Sequence, residues 1–213
     1  DSLEQQTYRD FHTLVVDNGS ADDVRKILAE YPTVSTIFNN NNLGFCRANN
    51  QGLSLALENN SQTRPDFILF LNQDIILEPN ALHELMSGAS RHPEAGVFGP
   101  KILRFHFDRE TDDGGHPVAT NVIDTSGIYP TRSYQFVSRG EGERDERQFH
   151  EGEVWGFSGT CVMIRSKTWE LVKVKTREYL DDDLFMYKDD ADLAFRLHRL
   201  GVHAWYIPTA TLY

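Results

Sequence analysis

Apolar residues along this chain fall into short unbroken runs separated by polar, glycine-rich and asparagine-rich stretches. The clearest run is Phe67-Ile68-Leu69-Phe70-Leu71, set between Asp66 and Asn72-Gln73-Asp74. Such a run suits a strand buried on both faces, as a parallel sheet requires. His12-Thr13-Leu14-Val15-Val16-Asp17 reads the same way and ends in Asp17-Asn18-Gly19-Ser20, a turn signal. Ser20 or Asp22 can cap a helix over about 22–30. Residues 33–38 form a second strand candidate, followed by Asn39, Asn40, Asn41 and Asn42. From 44 to about 57 the period turns helical, with Phe45, Ala48, Gly52 and Leu55 at offsets of three and four. Pro79 opens a further helix, to about His92, at the position proline favours. Residues 96–100 read as a short strand. The order β-α-β-α-β-α-β predicts a parallel α/β sheet with right-handed crossovers.

The stretch 106–153, rich in Gly, Asp, Glu and Arg, breaks this alternation. Tyr129-Pro130 and several glycines predict hairpins and loops, and a section this long is usually functional or mobile. Apolar character returns over 154–165, where Trp155 and Phe157 sit among Gly156, Ser158, Gly159 and Thr160. Cys161-Val162-Met163-Ile164 is a strand candidate, and Ser166 starts a short helix through Trp169 and Leu171. After the acidic run Asp181-Asp182-Asp183, a helix begins at Asp189. Its apolar face is Leu193, Ala194, Leu197 and Leu200, and Gly201 closes it. Residues 203–207 predict a last strand, and 209–213 a candidate for another.

Composition narrows the class. The 213 residues suffice for one domain with a real core. A formal net charge of −11 argues against a nucleic-acid binder, which would carry a basic stripe. It does not exclude an anionic ligand held by local cations or a metal. No apolar run reaches the roughly 18 residues of a transmembrane helix, and no signal peptide is evident. Cys46 and Cys161 give neither a disulfide framework nor zinc spacing, so free thiols in a reducing compartment are expected.

Three acidic sites lie beside expected strand ends or helix starts: Asp17, Asp74, and the pair Asp189/Asp190. Open α/β sheets bind ligands at the carboxyl ends of their strands. Asp74 either shapes a turn there or supplies one carboxylate to a hard cation, which is often held by one or two carboxylates plus substrate phosphates. Asn72 adds a neutral oxygen. Asp189 and Asp190 are either first-turn acids stabilised by the helix dipole, worth about 0.3–1 kcal/mol each, or a tuned general base. Asn42-Leu43-Gly44-Phe45 leads into a helix whose backbone N–H groups can bind phosphate. Arg47, a cation in the first turn, opposes the dipole. It is either a plain surface arginine or the partner of an anion. Neither a dinucleotide-binding nor a P-loop spacing is present.

Five stretches in order resemble the family-2 glycosyltransferases of the GT-A fold, particularly the rhamnosyltransferase-like branch. They are Leu14-Val15-Val16-Asp17-Asn18-Gly19-Ser20-Ala21-Asp22, Asn42-Leu43-Gly44-Phe45-Cys46-Arg47-Ala48-Asn49-Asn50-Gln51-Gly52, Phe70-Leu71-Asn72-Gln73-Asp74, Ser158-Gly159-Thr160, and Phe185-Met186-Tyr187-Lys188-Asp189-Asp190-Ala191-Asp192-Leu193. The resemblance implies a GT-A-like α/β fold, with a mostly parallel central sheet flanked by helices. It implies one catalytic domain over 1–213, with a nucleotide-binding half over about 1–100 and an acceptor-binding half over about 101–213. Asp17 looks like the acid that contacts the nucleotide base, with Gly44 and Arg47 part of the nucleotide pocket. Asn72-Gln73-Asp74 looks like the DxD motif, with Asp74 holding Mg2+ or Mn2+ against the donor diphosphate. Asp190 looks like the catalytic base beside Asp189, and Trp155 and Gly159 lie near donor sugar and acceptor.

Two departures accompany the resemblance. Asn72 replaces the first acid of DxD. The family's opening strand would precede residue 1, and its metal-binding His would follow a segment like Thr211-Leu212-Tyr213. The expectation is therefore a piece of a catalytic domain, whose activity alone is left open. The function implied is inverting transfer of a sugar from dTDP-L-rhamnose or a UDP-sugar. The acceptor is a hydroxyl of a cell-surface glycan or lipid-linked saccharide, and the expected location is cytoplasmic, including the inner face of the plasma membrane. The rivals are a sugar-phosphate nucleotidyltransferase, for which the glycine-rich basic loop is missing, and a non-catalytic nucleotide- or sugar-binding module.

Overall fold

The computed structural model describes residues 1–58, 64–108, 116–133, 135–185 and 187–213. Parts of the expected 106–153 loop region, 109–115 and 134, lie outside the described residues, as does Met186 of the fifth stretch. The first elements are β1 (Leu14–Asp17), α1 (Val24–Ala29), β2 (Ser35–Phe38), α2 (Phe45–Glu58), β3 (Phe67–Leu71) and α3 (Ala81–Arg91). Then come β4 (Val97–Asp108), β5 (His116–Thr125), β6 (Ile128–Pro130), β7 (Phe136–Ser138), β8 (Gly152–Val154) and β9 (Cys161–Arg165). The chain closes with α4 (Ser166–Leu171), α5 (Asp189–Arg199) and β10 (Ala204–Leu212).

These elements gather into two compact units. One comprises residues 1–9, 69–164 and 194–213, the other 10–68 and 165–193. In the second unit β1 and β2 pair in parallel from Leu14↔Ser35 to Asp17↔Phe38. Helix α2 buries Cys46, Ala48, Leu53 and Leu57, together with one polar residue, Asn50. The first unit is built on β4. Its opening residues pair in parallel with β10 and antiparallel with β9, and from Ile102 onward it pairs antiparallel with β5. The sheet order is β3-β9-β4-β10-β8, with β5 beside β4. Val97, Phe98, Ile102 and Leu103 of β4 are all buried. Helix α3 turns Ala81, Leu82, Leu85, Gly88 and Ala89 inward, and a side chain at Gly88 would strike Ile207 of β10.

The expected α/β architecture is present, and its main sheet mixes parallel with antiparallel pairs. Strands β4 and β5 follow each other directly in the chain and run antiparallel, whereas β1 and β2 are joined through α1, as parallel neighbours require. The region 106–153 holds more strand than its composition announced. Burial alternates near the end of β5, where Ile123 and Thr125 face inward and Asp124 does not. The two C-terminal strand candidates are one strand, β10. Its register against β4 shifts between Ile207 and Thr211, across Pro208, which has no N–H to give to a ladder.

The amino-terminal stretch, polar and weakly patterned in sequence, is anchored by Gln6, which is fully buried. Its Nε2 donates to the carbonyls of Ser2 (3.1 Å) and Glu78 (2.9 Å), and its Oε1 accepts the N–H of Leu82 (3.0 Å). Beside it, Leu3 and Tyr8 pack on the cluster of Leu77, Ala81, Leu82, Ile102, Cys161 and Leu212. Gln6→Ala would leave a buried N–H and two carbonyls without this partner. Chemical denaturation of the variant is expected to show a loss of about 1–3 kcal/mol, and unchanged stability would mean Gln6 is dispensable.

Candidate functional site

Consider first the unit that holds β1 and α2. Asp17 ends β1. Its carbonyl accepts the N–H of Asn39 (2.9 Å) and its Oδ1 accepts the N–H of Ser20 (3.1 Å), shaping the turn after the strand. The next residue ties that turn to α2. Asn18 Oδ1 accepts the N–H of Leu43 (3.0 Å), and its Nδ2 donates to Asn42 Oδ1 (2.9 Å) and to the carbonyl of Gly44 (3.2 Å). Asn42 Oδ1 accepts the N–H of Gly44 (2.9 Å), and Asn39 and Gln51 exchange amide hydrogen bonds. Asn18, Asn39, Asn42 and Gln51 thus form a side-chain network where a ladder would otherwise be needed.

This network corrects one expectation. The N–H groups of Leu43, Gly44 and Phe45 do not stand open to a phosphate. They donate to Asn18, to Asn42 and to the carbonyl of Phe185 (2.8 Å). The glycine at 44 has its own reason. Its φ is +88°, and a side chain there would collide with Phe185. The arginine in the first turn of α2 likewise has a partner within the chain: Arg47 Nε lies 3.6 Å from Asp182 Oδ2. Its side chain stays 57% exposed, so the guanidinium can still meet an outside anion.

Asp189 and Asp190 occupy the first turn of α5, with Asp192 beside them, while Arg196, His198 and Arg199 sit in the last turn. Both sets complement the helix dipole. Burial raises the Asp189 carboxyl above the usual aspartate range, and the charges of Asp190 and Asp192 add to this, against a backbone hydrogen bond that lowers it. The same negative field reaches Cys46. Burial first, then the charges of Asp189, Asp182, Asp181 and Asp192, push its thiol up to about 12. Asp190 Oδ1 accepts the N–H of Ala191 (2.7 Å). Tyr187 and Lys188, just upstream, both have φ of +68°. Two left-handed non-glycine residues in succession are uncommon and mark a constrained turn.

The other unit holds the remaining candidates. The N–H of Asn72 donates to the carbonyl of Thr160 (3.0 Å), which brings the Asn72-Gln73-Asp74 turn beside the Ser158-Gly159-Thr160 segment. On its far side the turn is fastened by Ile76 and Tyr213, which exchange backbone hydrogen bonds of 2.7 and 2.8 Å. Asp74 itself is exposed and Asn72 and Gly159 are half-exposed. Trp155 lies in an aromatic group. His198 stacks on it at 4.8 Å, Phe136 meets it edge-on at 4.9 Å, and Phe195 is tilted at 6.2 Å. Among the described residues no group of three or more His, Cys, Asp or Glu stands close enough to hold a metal. Asp74 therefore offers a single carboxylate, a donor set that suits a cation completing its shell with substrate phosphates and water.

In the sequence Asn18 stood within a turn signal, Asn42 within a helix entry and Asn50 within the second family-like stretch; what each amide bonds to is decided by the fold.

Comparisons with known proteins bear on this arrangement. A family model described as Glycosyl transferase family 2 matches residues 1–171. The N-acetylglucosaminyl-diphospho-decaprenol L-rhamnosyltransferase of Mycobacterium tuberculosis is 28% identical over 220 residues, covering 98% of this chain and 68% of that protein. Among solved structures, GalNAc-T7 with UDP, GalNAc and Mn2+ superposes with a TM-score of 0.70 at 12% identity, over 99% of this chain and 39% of that one. The S. aureus TarS structure gives 0.58 at 16%, over 97% of this chain and 33% of that one. At these identities the structures show a shared fold, and the chain spans well under half the length of either. The family match takes in β1 through α4, including the turns at Asp17 and Asp74, and on that ground the chain belongs to glycosyl transferase family 2 and is a glycosyltransferase of GT-A-like α/β fold.

Proposed function

We propose that this chain carries out inverting transfer of a sugar, L-rhamnose first among candidates, from a nucleotide-diphosphate donor to a hydroxyl of a cell-surface glycan or lipid-linked saccharide. The observation that carries the proposal is the acid pair at the start of α5, with Asp189 held above its ordinary range in a chain of this family. Carboxyl groups displaced in this way concentrate where proton transfer is needed. The similarity to a mycobacterial L-rhamnosyltransferase, named for a diphospho-decaprenol-linked acceptor, supports the choice of sugar and acceptor. The neighbour containing UDP and Mn2+ supports a nucleotide-diphosphate donor and a divalent cation.

In this reading Asp190 is the base. Its Oδ1 is occupied by the N–H of Ala191, and Oδ2 takes the acceptor's proton. The acceptor oxygen then attacks the anomeric carbon in line as the bond to the diphosphate breaks, inverting the centre. Asp17, Gly44 and Arg47 serve the nucleotide, Asn72 and Asp74 the diphosphate, and Trp155, Gly159 and Asp189 the donor sugar and acceptor. Residues 1–100 thus contribute mainly to the nucleotide and 101–213 to the acceptor. Asp74, aided by Asn72, would hold Mg2+ or Mn2+, which when bound offsets charge on the leaving diphosphate. No helix among the described residues is long and apolar enough to cross a membrane. A cytoplasmic enzyme meeting a lipid-linked acceptor at the inner membrane face is the location this reading requires.

Three measurements test it. Asp190→Asn should lower nucleotide release from the sugar donor by about 100-fold or more while calorimetry still detects dTDP or UDP binding; near-normal turnover would remove Asp190 from the role of base. Asp74→Asn should abolish the difference in nucleotide-diphosphate affinity measured with and without Mn2+. A metal effect that survives would place the cation elsewhere. The third concerns pH. A carboxyl whose folded-state pKa is raised favours folding below the unfolded value, and this contribution is lost as pH rises through the folded one. Asp189→Asn should therefore raise the melting temperature relative to the parent at pH 7.5. The gain should vanish near pH 4, about where an unperturbed aspartate protonates. A variant melting lower at pH 7.5 would contradict this.

A further inference from the structure

A buried side chain outside the acid pair holds the segment that delivers it. Asn50, on α2, is 5% exposed. Its Oδ1 accepts the N–H groups of Tyr179 and Leu180, both at 3.0 Å. Its Nδ2 donates to the carbonyl of Leu180 and to Asp182 Oδ1, both at 2.8 Å. Both acceptor sites and both donors of the amide are thereby used, the full capacity of the group. Hydrogen bonds inside a protein are strengthened by the low local dielectric, and the one to the Asp182 carboxylate is charge-assisted.

The hold continues along one stripe of α2. Arg47 and Asn50 are spaced by three on α2, so they lie on adjoining turns of one side, and Gly44 leads into the helix just before them. Asn50 grips 179–182, Arg47 faces Asp182, and the N–H of Phe45 meets the carbonyl of Phe185. The ring of Phe185 lies over the space that a side chain at 44 would fill. Residues 179–185 therefore run counter to α2, fastened at successive turns. Tyr187 and Lys188, both left-handed, then swing the chain into α5, and the carbonyl of Lys188 accepts the N–H of Asp192 at 2.9 Å.

We propose that Asn50 is a positioning residue for the transfer reaction: by fastening residues 179–185 it sets where the Asp189/Asp190 pair stands. The inference rests on the reading of Asp190 as base. Asn50 is buried with all its bonds inside the chain, so its loss is expected to act on the chemical step and not on nucleotide affinity.

The test uses the full-length enzyme with a nucleotide-sugar donor. Asn50→Asp keeps the acceptors for Tyr179 and Leu180 but loses both donors and sets a carboxylate against Asp182. It should lower kcat by about tenfold or more, in line with the sensitivity of catalysis to small displacements, with the dissociation constant for dTDP or UDP unchanged. Adding Asp182→Asn supplies a donor across the pair and should recover part of kcat, the carbonyl of Leu180 still lacking its own donor. If Asn50→Asp alone does not fold, the comparison is made within the Asp182→Asn background, where Asn50→Asp should still lower kcat through the lost bond to Leu180, with nucleotide affinity unchanged. A folded Asn50→Asp enzyme with parental kcat overturns the proposal. So does a parallel loss of nucleotide affinity, or an unchanged kcat when Asn50→Asp is made in the Asp182→Asn background. Asp190→Asn is assayed beside them. If it retains turnover, the parent reading fails and takes this one with it. If it is inactive while Asn50→Asp is unaffected, only the positioning role fails.

Discussion

Backbone groups that leave a strand or enter a helix must find hydrogen-bond partners, and at the carboxyl end of β1 carboxamide side chains provide them. Asn18 and Asn42 satisfy the approach to α2, and Asn39 is locked to Gln51. Asn50 does the same for residues 130 positions away in the chain. These loops hold a fixed course without a ladder, because an amide offers donors and acceptors at once on a short, stiff side chain. Substituting aspartate or leucine at such positions keeps the volume but loses half or all of that bonding.

The second organising feature is negative charge held together near α2 and the start of α5. Asp181, Asp182, Asp189 and Asp192 all act on the buried Cys46 thiol, which stays protonated with its titration pushed up to about 12. Arg47 faces one of these acids, and the dipole of α5 favours those in its first turn. Asp189 is nevertheless displaced upward by burial. An arrangement that destabilises a carboxylate in place is what a proton-accepting site needs, and stability is commonly sacrificed where chemistry is done.

Several elements were legible in the residues themselves. The run Phe67 to Leu71 is β3, half-buried along its length; a helix follows Gly44 as α2, although Leu55 of the expected face is exposed and Cys46, Leu53 and Leu57 are buried; and Leu193, Ala194 and Leu197 are the buried side of α5, with Leu200 exposed beyond its end. These succeed because a strand or helix that buries one face must repeat apolar residues at its own period. The stretch 106–153 announced a hairpin at Tyr129-Pro130, where β6 and β7 pair, but not the length of β5, because half-exposed strands carry few apolar residues and their charges read as loop. Pro208 read as a break between two strands, yet β10 absorbs it as an irregularity in one.

Within the candidate site, the sequence alone determined which acids stand at strand ends and helix starts: Asp17 after β1, Asp74 after β3, and Asp189 and Asp190 opening α5. Local chemistry suffices for that, since turns and first helical turns select these residues by their own backbone. The tertiary structure alone decided what the neighbouring residues are for. That Gly44 makes room for Phe185, that Arg47 answers Asp182, and that Asn50 and Gln6 spend their amides on distant backbone are facts about partners far away in the chain. A hydrogen bond depends on where two groups meet in space, and no period along the chain records that meeting.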